Sequence, residues 1–171
     1  YGQYEAVVAD IIANVREKGD EALFSYTNKL DHCDLTAQTV RVTEAEIQEA
    51  CRQVGEEFLE VMKKSAANIR AFHEKQKRTG WFETKPDGSI LGMRLLPVAS
   101  AGVYAPGGTA AYPSSVLMNV IPAKVAGVER IVMATPPGPD GKVNAGTLAA
   151  ASVAGVDEIY KMGGAQAIAA L

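Results

Sequence analysis

Apolar residues near the start of the chain recur at the three- and four-residue spacing of helices that bury one face. The first such face comprises Tyr4, Val8, Ile11, Ile12 and Val15. Gly19 follows this face as a stop, and Asp20 is expected to cap a second helix that runs through Leu30. The pattern therefore predicts two consecutive amphipathic helices.

The T-x-x-E sequence at Thr43–Glu46 has the form of a capping box, in which both side chains satisfy free N–H groups at a helix start. We expect a helix to begin there and to end before Gly55. A short strand is predicted just ahead of it, at Val40–Val42. A longer helix should follow Gly55, with an apolar face formed by Phe58, Met62, Ala66, Ile69 and His73.

A β-hairpin is predicted after the long helix. Its strands are expected at Trp81–Lys85 and Ile90–Leu96. The residues between them, Pro86-Asp87-Gly88-Ser89, are those that favour a turn.

The pattern changes near residue 100 to short apolar runs that alternate with glycine-containing loops and helical segments. Strands are predicted at Ala101–Tyr104, Arg130–Ala134 and Ile159–Met162. The first two helices have predicted limits of Ser114 or Ser115 to Gly127, with Pro122 inside, and Asn144 to Gly155. A third is expected to follow Gly163-Gly164-Ala165-Gln166. Strands that alternate with helices at this spacing indicate a parallel, Rossmann-like sheet.

Charge and glycine are distributed unevenly between the two parts. Residues 1–100 hold 29 of the 37 charged side chains, whereas residues 101–171 hold 10 of the 16 glycines. The predicted fold is α/β, with a helical N-terminal region and a β-hairpin followed by an incomplete Rossmann-like parallel β-α-β unit. We expect residues 1–100 to form part of a first domain and residues 101–171 part of a Rossmann-like domain.

The net charge of −3 is not the excess of basic residues that binding to nucleic acid or to an anionic membrane would require. Every apolar stretch is interrupted well short of a bilayer span. Cys33 and Cys51 form no disulfide framework, which favours a reducing, cytoplasmic setting and packing roles for both thiols. His32 adjoins Cys33, but one such pair cannot make a zinc site, which needs about four ligands.

Two glycine-containing loops follow predicted strands where ligands bind to open parallel sheets. They contain Tyr104-Ala105-Pro106-Gly107-Gly108 and Gly163-Gly164-Ala165-Gln166. Their backbone N–H groups could approach a phosphate, or the glycines could simply permit tight turns. Neither loop has the G-x-G-x-x-G pattern, so a dinucleotide would bind in a variant manner, with Tyr104 stacking or hydrogen-bonding and Gln166 offering an amide.

Residues suited to acid–base catalysis are scarce. The second part of the chain has no histidine, and we expect its four acids to be solvated: Glu129, Asp140, Asp157 and Glu158. His73 is expected to pack on its helix rather than to react. No convincing base for alcohol oxidation is predicted.

Two long stretches of the second part are distinctive. They are GVYAPGGTAAYPSSVLMNVIPAKVAGVERIVMATPP at Gly102–Pro137 and GVDEIYKMGGAQAIAAL at Gly155–Leu171. They resemble the histidinol dehydrogenase family, and GDEALFSYTNKLD and FHEKQK earlier in the chain occur in the order expected of that family. The resemblance spans nearly the whole chain but only the front part of a family member.

The resemblance implies an enzyme that oxidises L-histidinol to L-histidine through the aldehyde, with two hydride transfers to NAD, in the last step of histidine biosynthesis. It implies a zinc-dependent cytoplasmic homodimer with Rossmann-like folds. Tyr104 and Gln166 match NAD contacts of the family, and Gly107 and Gly108 are further candidates. The zinc ligands and the acid–base Glu-His pair are expected after Leu171, so this chain alone should be inactive.

Two alternatives remain open. The chain could be a self-contained, non-catalytic nucleotide-binding α/β module. It could also resemble an aldehyde dehydrogenase, which needs a nucleophilic cysteine near a glutamate. The latter is the weaker alternative, because neither Cys33 nor Cys51 lies in the predicted α/β part.

Overall fold

A computed structural model describes residues 2–107 and 111–171, which form an α/β fold. Its helices and strands, in chain order, are α1 Gly2–Lys18, α2 Asp20–Asp31, α3 Glu44–Glu74, β1 Trp81–Thr84, β2 Ile90–Met93, β3 Ser100–Tyr104, α4 Pro113–Ala126, β4 Arg130–Thr135, α5 Ala145–Ala154, β5 Glu158–Lys161 and α6 Gly164–Ala170. None of the helices in this part of the chain is both long and apolar enough to cross a membrane.

The predicted parallel sheet is confirmed. Its strand order is β3-β4-β5, and both strand pairs are parallel. The strands lie within one residue of their predicted limits at both ends. Since β4 is paired on both sides, it is the centre of the described sheet, and its four inner residues, Ile131 to Ala134, are all apolar.

Helices cover both faces of this sheet. On one face, Ile131 and Met133 of β4 are fully buried in the main core, which also contains α4 and α5 residues. On the opposite face, Ala134 packs in a smaller core with Leu23 of α2 and Ala167 of α6. Because successive side chains of a strand point to opposite faces, one buried strand can support both cores.

Helix α3 begins at the predicted capping box. The Thr43 side chain accepts a hydrogen bond from the Glu46 N–H, and the Glu46 carboxylate accepts one from the Thr43 N–H at 2.8 Å. The predicted break at Gly55 is a kink, where φ is 80° and ψ is 167°. Such a positive φ suits glycine and strains other residues, so the helical axis changes direction there.

Of three other predicted helix starts, two differ from prediction and one is confirmed. Asp20 does not cap α2; Gly19 occupies the N-cap, and Asp20 is the first helical residue. Helix α4 begins at Pro113, ahead of Ser114 and Ser115, because the fixed φ of proline suits the first turn of a helix. The predicted cap of α5 is confirmed, since the Asn144 side chain accepts a hydrogen bond from the Thr147 N–H.

The strand predicted at Val40–Val42 is reduced to a single antiparallel bridge between Arg41 and Tyr160. Two backbone hydrogen bonds flank it, from Val42 N to the Ile159 oxygen at 2.9 Å and from Lys161 N to the Val40 oxygen at 2.8 Å. This segment therefore covers the outer edge of β5 without extending into a full strand.

The hairpin prediction is confirmed for β1 and β2, which pair antiparallel from Trp81 opposite Met93 to Thr84 opposite Ile90. The second strand ends at Met93, three residues before the predicted limit of Leu96. Every residue of both strands is exposed.

A largely buried ion pair joins α3 to β5. The Lys161 Nζ donates to Glu46 Oε1 at 2.5 Å, and the two side chains are 9% and 33% exposed. Burial alone would raise the pKa of Glu46, but hydrogen bonds from Lys161 and Thr43 outweigh it and hold the pKa below its ordinary value. Glu46 therefore caps α3 and neutralises the buried lysine.

Glu46→Gln should lower the free energy of unfolding by about 1–2 kcal/mol at pH 7, because it leaves Lys161 buried without a counter-charge. The lowered pKa of Glu46 means that the pair stabilises the fold above the ordinary glutamate pKa, about 4.3, and that this contribution is lost as pH falls. The difference between wild type and Glu46→Gln should therefore shrink below that pH in urea unfolding curves.

The matched control is Glu49→Gln on the same helix, whose carboxylate pairs with Arg52 in solvent. It should change the free energy of unfolding by no more than about 0.5 kcal/mol. Equal effects of the two substitutions would contradict a special role for Glu46.

Candidate functional site

The parallel sheet brings the loops that follow its three strands to one edge, which is the edge at the carboxyl ends of the strands. Two backbone hydrogen bonds extend the pairing past the strands, from Ala105 N to the Ala134 oxygen at 2.9 Å and from Met162 N to the Thr135 oxygen at 3.0 Å. The loops after β3 and β5 therefore leave the sheet on either side of the end of β4. In open parallel sheets, ligands bind beyond this edge.

Tyr104, the last residue of β3, reaches across this edge to the loop after β5. Its hydroxyl oxygen accepts a hydrogen bond from the Gly164 N–H at 3.2 Å. The O–H proton has no acceptor among the described residues and can be donated to a ligand. The structure thus joins the two loops that the sequence pattern singled out separately.

Gln166 lies in the first turn of α6 and is 1% exposed. Its Oε1 atom is buried and has no hydrogen-bond partner within residues 2–107 and 111–171. An unpaired buried acceptor costs free energy, so native proteins rarely keep one without a use. A ligand that donates a hydrogen bond would satisfy it.

The glycines of these loops are required by close contacts. Gly164 has φ of 63°, and a Cβ there would lie 2.7 Å from Gln166 Oε1. A Cβ at Gly107 would lie 2.9 Å from Pro136 Cγ, and one at Gly163 would lie 2.6 Å from Pro136 Cβ. The candidate residue Gly108 lies outside the described residues.

Sequence reasoning missed Pro136, the first residue after β4. No role was predicted for the Pro136-Pro137 pair, although it directly follows a buried strand between the two candidate loops. That position is the signal that could have identified it, because parallel strands end at a common edge.

The acids near β4 and β5 lie at the opposite, amino end of the strands. Asp157 accepts hydrogen bonds from Lys124 Nζ at 2.9 Å and from Ile131 N at 2.7 Å. Glu158 accepts from Arg130 at 2.7 Å and from Tyr160 at 2.8 Å, and these bonds lower its pKa to about 2. The expectation of a solvated side chain is wrong for Glu158, which is 17% exposed.

The other acids, the thiols and His73 show no reactive arrangement. Glu129 is exposed, and Asp140 accepts a hydrogen bond from Lys142 N within its own loop. Cys33 is buried, which raises its pKa, and Cys51 is half-buried; both are free thiols. His73 packs edge-to-face against Phe72 and hydrogen-bonds Gln76. In the described ranges, no three His, Cys, Asp or Glu side chains could hold a metal ion together.

Gln166→Met should raise the free energy of unfolding by about 1 kcal/mol, because it removes an unpaired buried acceptor at similar volume. Thermal unfolding followed by circular dichroism measures the change. Gln53→Met, at an exposed glutamine of α3, should stay within about 0.5 kcal/mol of wild type. A clear loss of stability in Gln166→Met would show that the amide is satisfied in the folded chain.

Comparison with known proteins gives a consistent result. A sequence profile of the family described as histidinol dehydrogenase matches residues 1–171. Histidinol dehydrogenase from Geobacillus kaustophilus is 57% identical over 164 residues, and that from Bacillus subtilis is 52% identical over 164 residues. Each alignment covers 96% of this chain and 38% of the relative.

A crystal structure of histidinol dehydrogenase from Elizabethkingia anophelis has the same fold. It superimposes with a TM-score of 0.89 at 36% sequence identity, covering 97% of this chain and 38% of that protein. The chain thus spans somewhat more than a third of the length of these relatives. With a profile match over its whole length, the chain belongs to the histidinol dehydrogenase family.

Proposed function

We propose that the edge formed by the loops after β3 and β5 is part of an NAD-binding site. The observation that carries the proposal is the buried, unpartnered Oε1 of Gln166, two residues after Gly164, whose N–H donates to the hydroxyl of Tyr104. The two side chains offer one acceptor and one donor at the edge of the sheet where dinucleotides bind in Rossmann-like folds.

The residues present fit this ligand. NAD carries ribose hydroxyls and amide NH₂ groups that can donate to Gln166 Oε1, and it has phosphate and hydroxyl oxygens that can accept from Tyr104. The glycine backbones at Gly107, Gly163 and Gly164 leave no room for side chains at this edge. When bound, NAD supplies a hydride acceptor; the role of this chain is to bind and orient it.

The proposal extends to the whole protein. It oxidises L-histidinol to L-histidine through the aldehyde, as a zinc-dependent cytoplasmic homodimer in histidine biosynthesis. Residues 101–171 form part of its NAD-binding domain, and residues 1–100 form part of another domain. Family membership and similarity to the histidinol dehydrogenases named above support this proposal.

We further propose that residues 1–171 are inactive without the remainder of such an enzyme. The described residues do not fit a zinc site, since no suitable donor cluster is present among them. Among the described residues, no histidine or carboxylate hydrogen-bonds Tyr104 or Gln166 Oε1, so no base for the alcohol proton is assigned here. No step of the proposal is therefore assigned to a metal on these residues.

The test is a titration of the chain with NAD, followed by amide shifts in NMR spectra. Saturable shifts are expected at Gly107, Gly163 and Gly164. Gln166→Ala should raise the Kd about tenfold or more, since it removes the buried acceptor, and Tyr104→Phe should raise it about fivefold.

The matched controls are Gln53→Ala and Tyr4→Phe, which alter exposed residues of the same types on α3 and α1. Both should bind NAD as wild type does. A well-folded chain with no saturable shifts, or equal losses in the control variants, would overturn the proposed site.

A further inference from the structure

Three loops meet at the carboxyl end of β4. Pro136 belongs to the loop after β4, and its ring lies between the loops after β3 and β5. A Cβ at Gly107, in the loop after β3, would lie 2.9 Å from Pro136 Cγ and 3.2 Å from its Cδ. A Cβ at Gly163, in the loop after β5, would lie 2.6 Å from Pro136 Cβ. Such distances mean that both glycine backbones pack directly against the proline.

The shortest contacts use different atoms of the ring. The atoms nearest to a Cβ at Gly107 are Cγ and Cδ, whereas the atom nearest to a Cβ at Gly163 is Cβ, with Cα at 3.3 Å and Cγ at 3.4 Å. The ring therefore fills the space between the two loops from one side to the other. Since proline also fixes its own φ, the position of the ring relative to β4 is rigid.

A polar link crosses the same gap. The hydrogen bond from Gly164 N to the Tyr104 hydroxyl at 3.2 Å joins the loop after β5 to the end of β3. The length of this hydrogen bond depends on how far apart the two loops lie, and the Pro136 ring lies between them. The geometry therefore couples the contacts of Pro136 to the position of Tyr104 relative to Gln166.

We propose that Pro136 is a positioning residue: its ring sets the distance between the loops after β3 and β5, and thereby aligns Tyr104 with Gln166 to receive the dinucleotide. The role in binding rests on the proposed function. The role in loop spacing does not, and it can be measured without any ligand.

The first experiment uses single substitutions in the chain. Pro136→Ala removes Cγ and Cδ and frees φ, so it should shift the Gly164 amide resonance and raise the Kd for NAD about three- to tenfold. Pro139→Ala, at an exposed proline of the same loop, should leave both readouts unchanged. A purely structural proline would lower the Tm but leave the Gly164 resonance and the Kd of the folded chain at wild-type values; that result overturns the proposal.

The second experiment is a double-mutant cycle that depends on which ring atoms each glycine meets. Gly107→Ala should raise the Kd about tenfold in wild type and less than about twofold in the Pro136→Ala background, because alanine lacks the Cγ and Cδ atoms that make its two shortest contacts and keeps only the backbone oxygen at 3.3 Å. Gly163→Ala should raise it about tenfold in both backgrounds, because alanine retains Cβ. Pro136→Gly should relieve Gly163→Ala.

The same cycle is also read from the Gly164 amide shift without NAD, and this separates the two proposals. Coupling at Gly164 in a chain that does not bind NAD would support the spacing role and overturn the proposed function. Additive effects of Gly107→Ala and Pro136→Ala at Gly164 would overturn the spacing role, whether or not NAD binds. If Gly163→Ala does not fold, the Gly107 half of the cycle decides the outcome.

Discussion

The structure depends on β4, a strand that is paired on both sides and buried on both faces. Its backbone joins β3 to β5 in register, and its alternating side chains support the two cores. Parallel pairing requires a crossover after each strand, which α4 and α5 provide. The same pairing directs the loops after all three strands to a single edge.

This constraint explains how residues far apart in sequence form one site. Tyr104 and Gly164 are sixty positions apart, yet the ends of β3 and β5 bring them within hydrogen-bonding distance. Buried charge is kept away from this edge or neutralised, as in the pair of Lys161 with Glu46. Gln166 Oε1 remains without a hydrogen-bond partner among the described residues, as do Asp31 Oδ2 and Thr147 Oγ1, and binding sites are expected to retain polar groups that a stable core would not.

Much of the fold could be predicted from the sequence because local signals agreed with the final packing. The Thr43 capping box, the break at Gly55 and the Asn144 cap depend on residues within one helical turn, and all three are confirmed. Asp20 was misassigned because aspartate also favours the first helical turn, and only the backbone of Gly19 shows which residue is the cap.

Long-range features were harder to predict. The sequence pattern marked Tyr104 and Gln166 separately, but the hydrogen bond that joins Tyr104 to the loop before Gln166 depends on strand register, which no local pattern specifies. Pro136 was missed for the same reason, since its contacts with Gly107 and Gly163 come from three different loops. The strand predicted at Val40–Val42 was too long, because an apolar pattern does not show how many of its residues pair with a neighbouring strand.

The central claim is that the edge beside Tyr104 and Gln166 receives NAD, and a crystal structure of the chain determined with NAD tests it most directly. The account predicts ligand density at this edge, with a donor group of NAD within hydrogen-bonding distance of Gln166 Oε1. Density for NAD only at the amino end of the strands, beside Arg130 and Glu158, would contradict it.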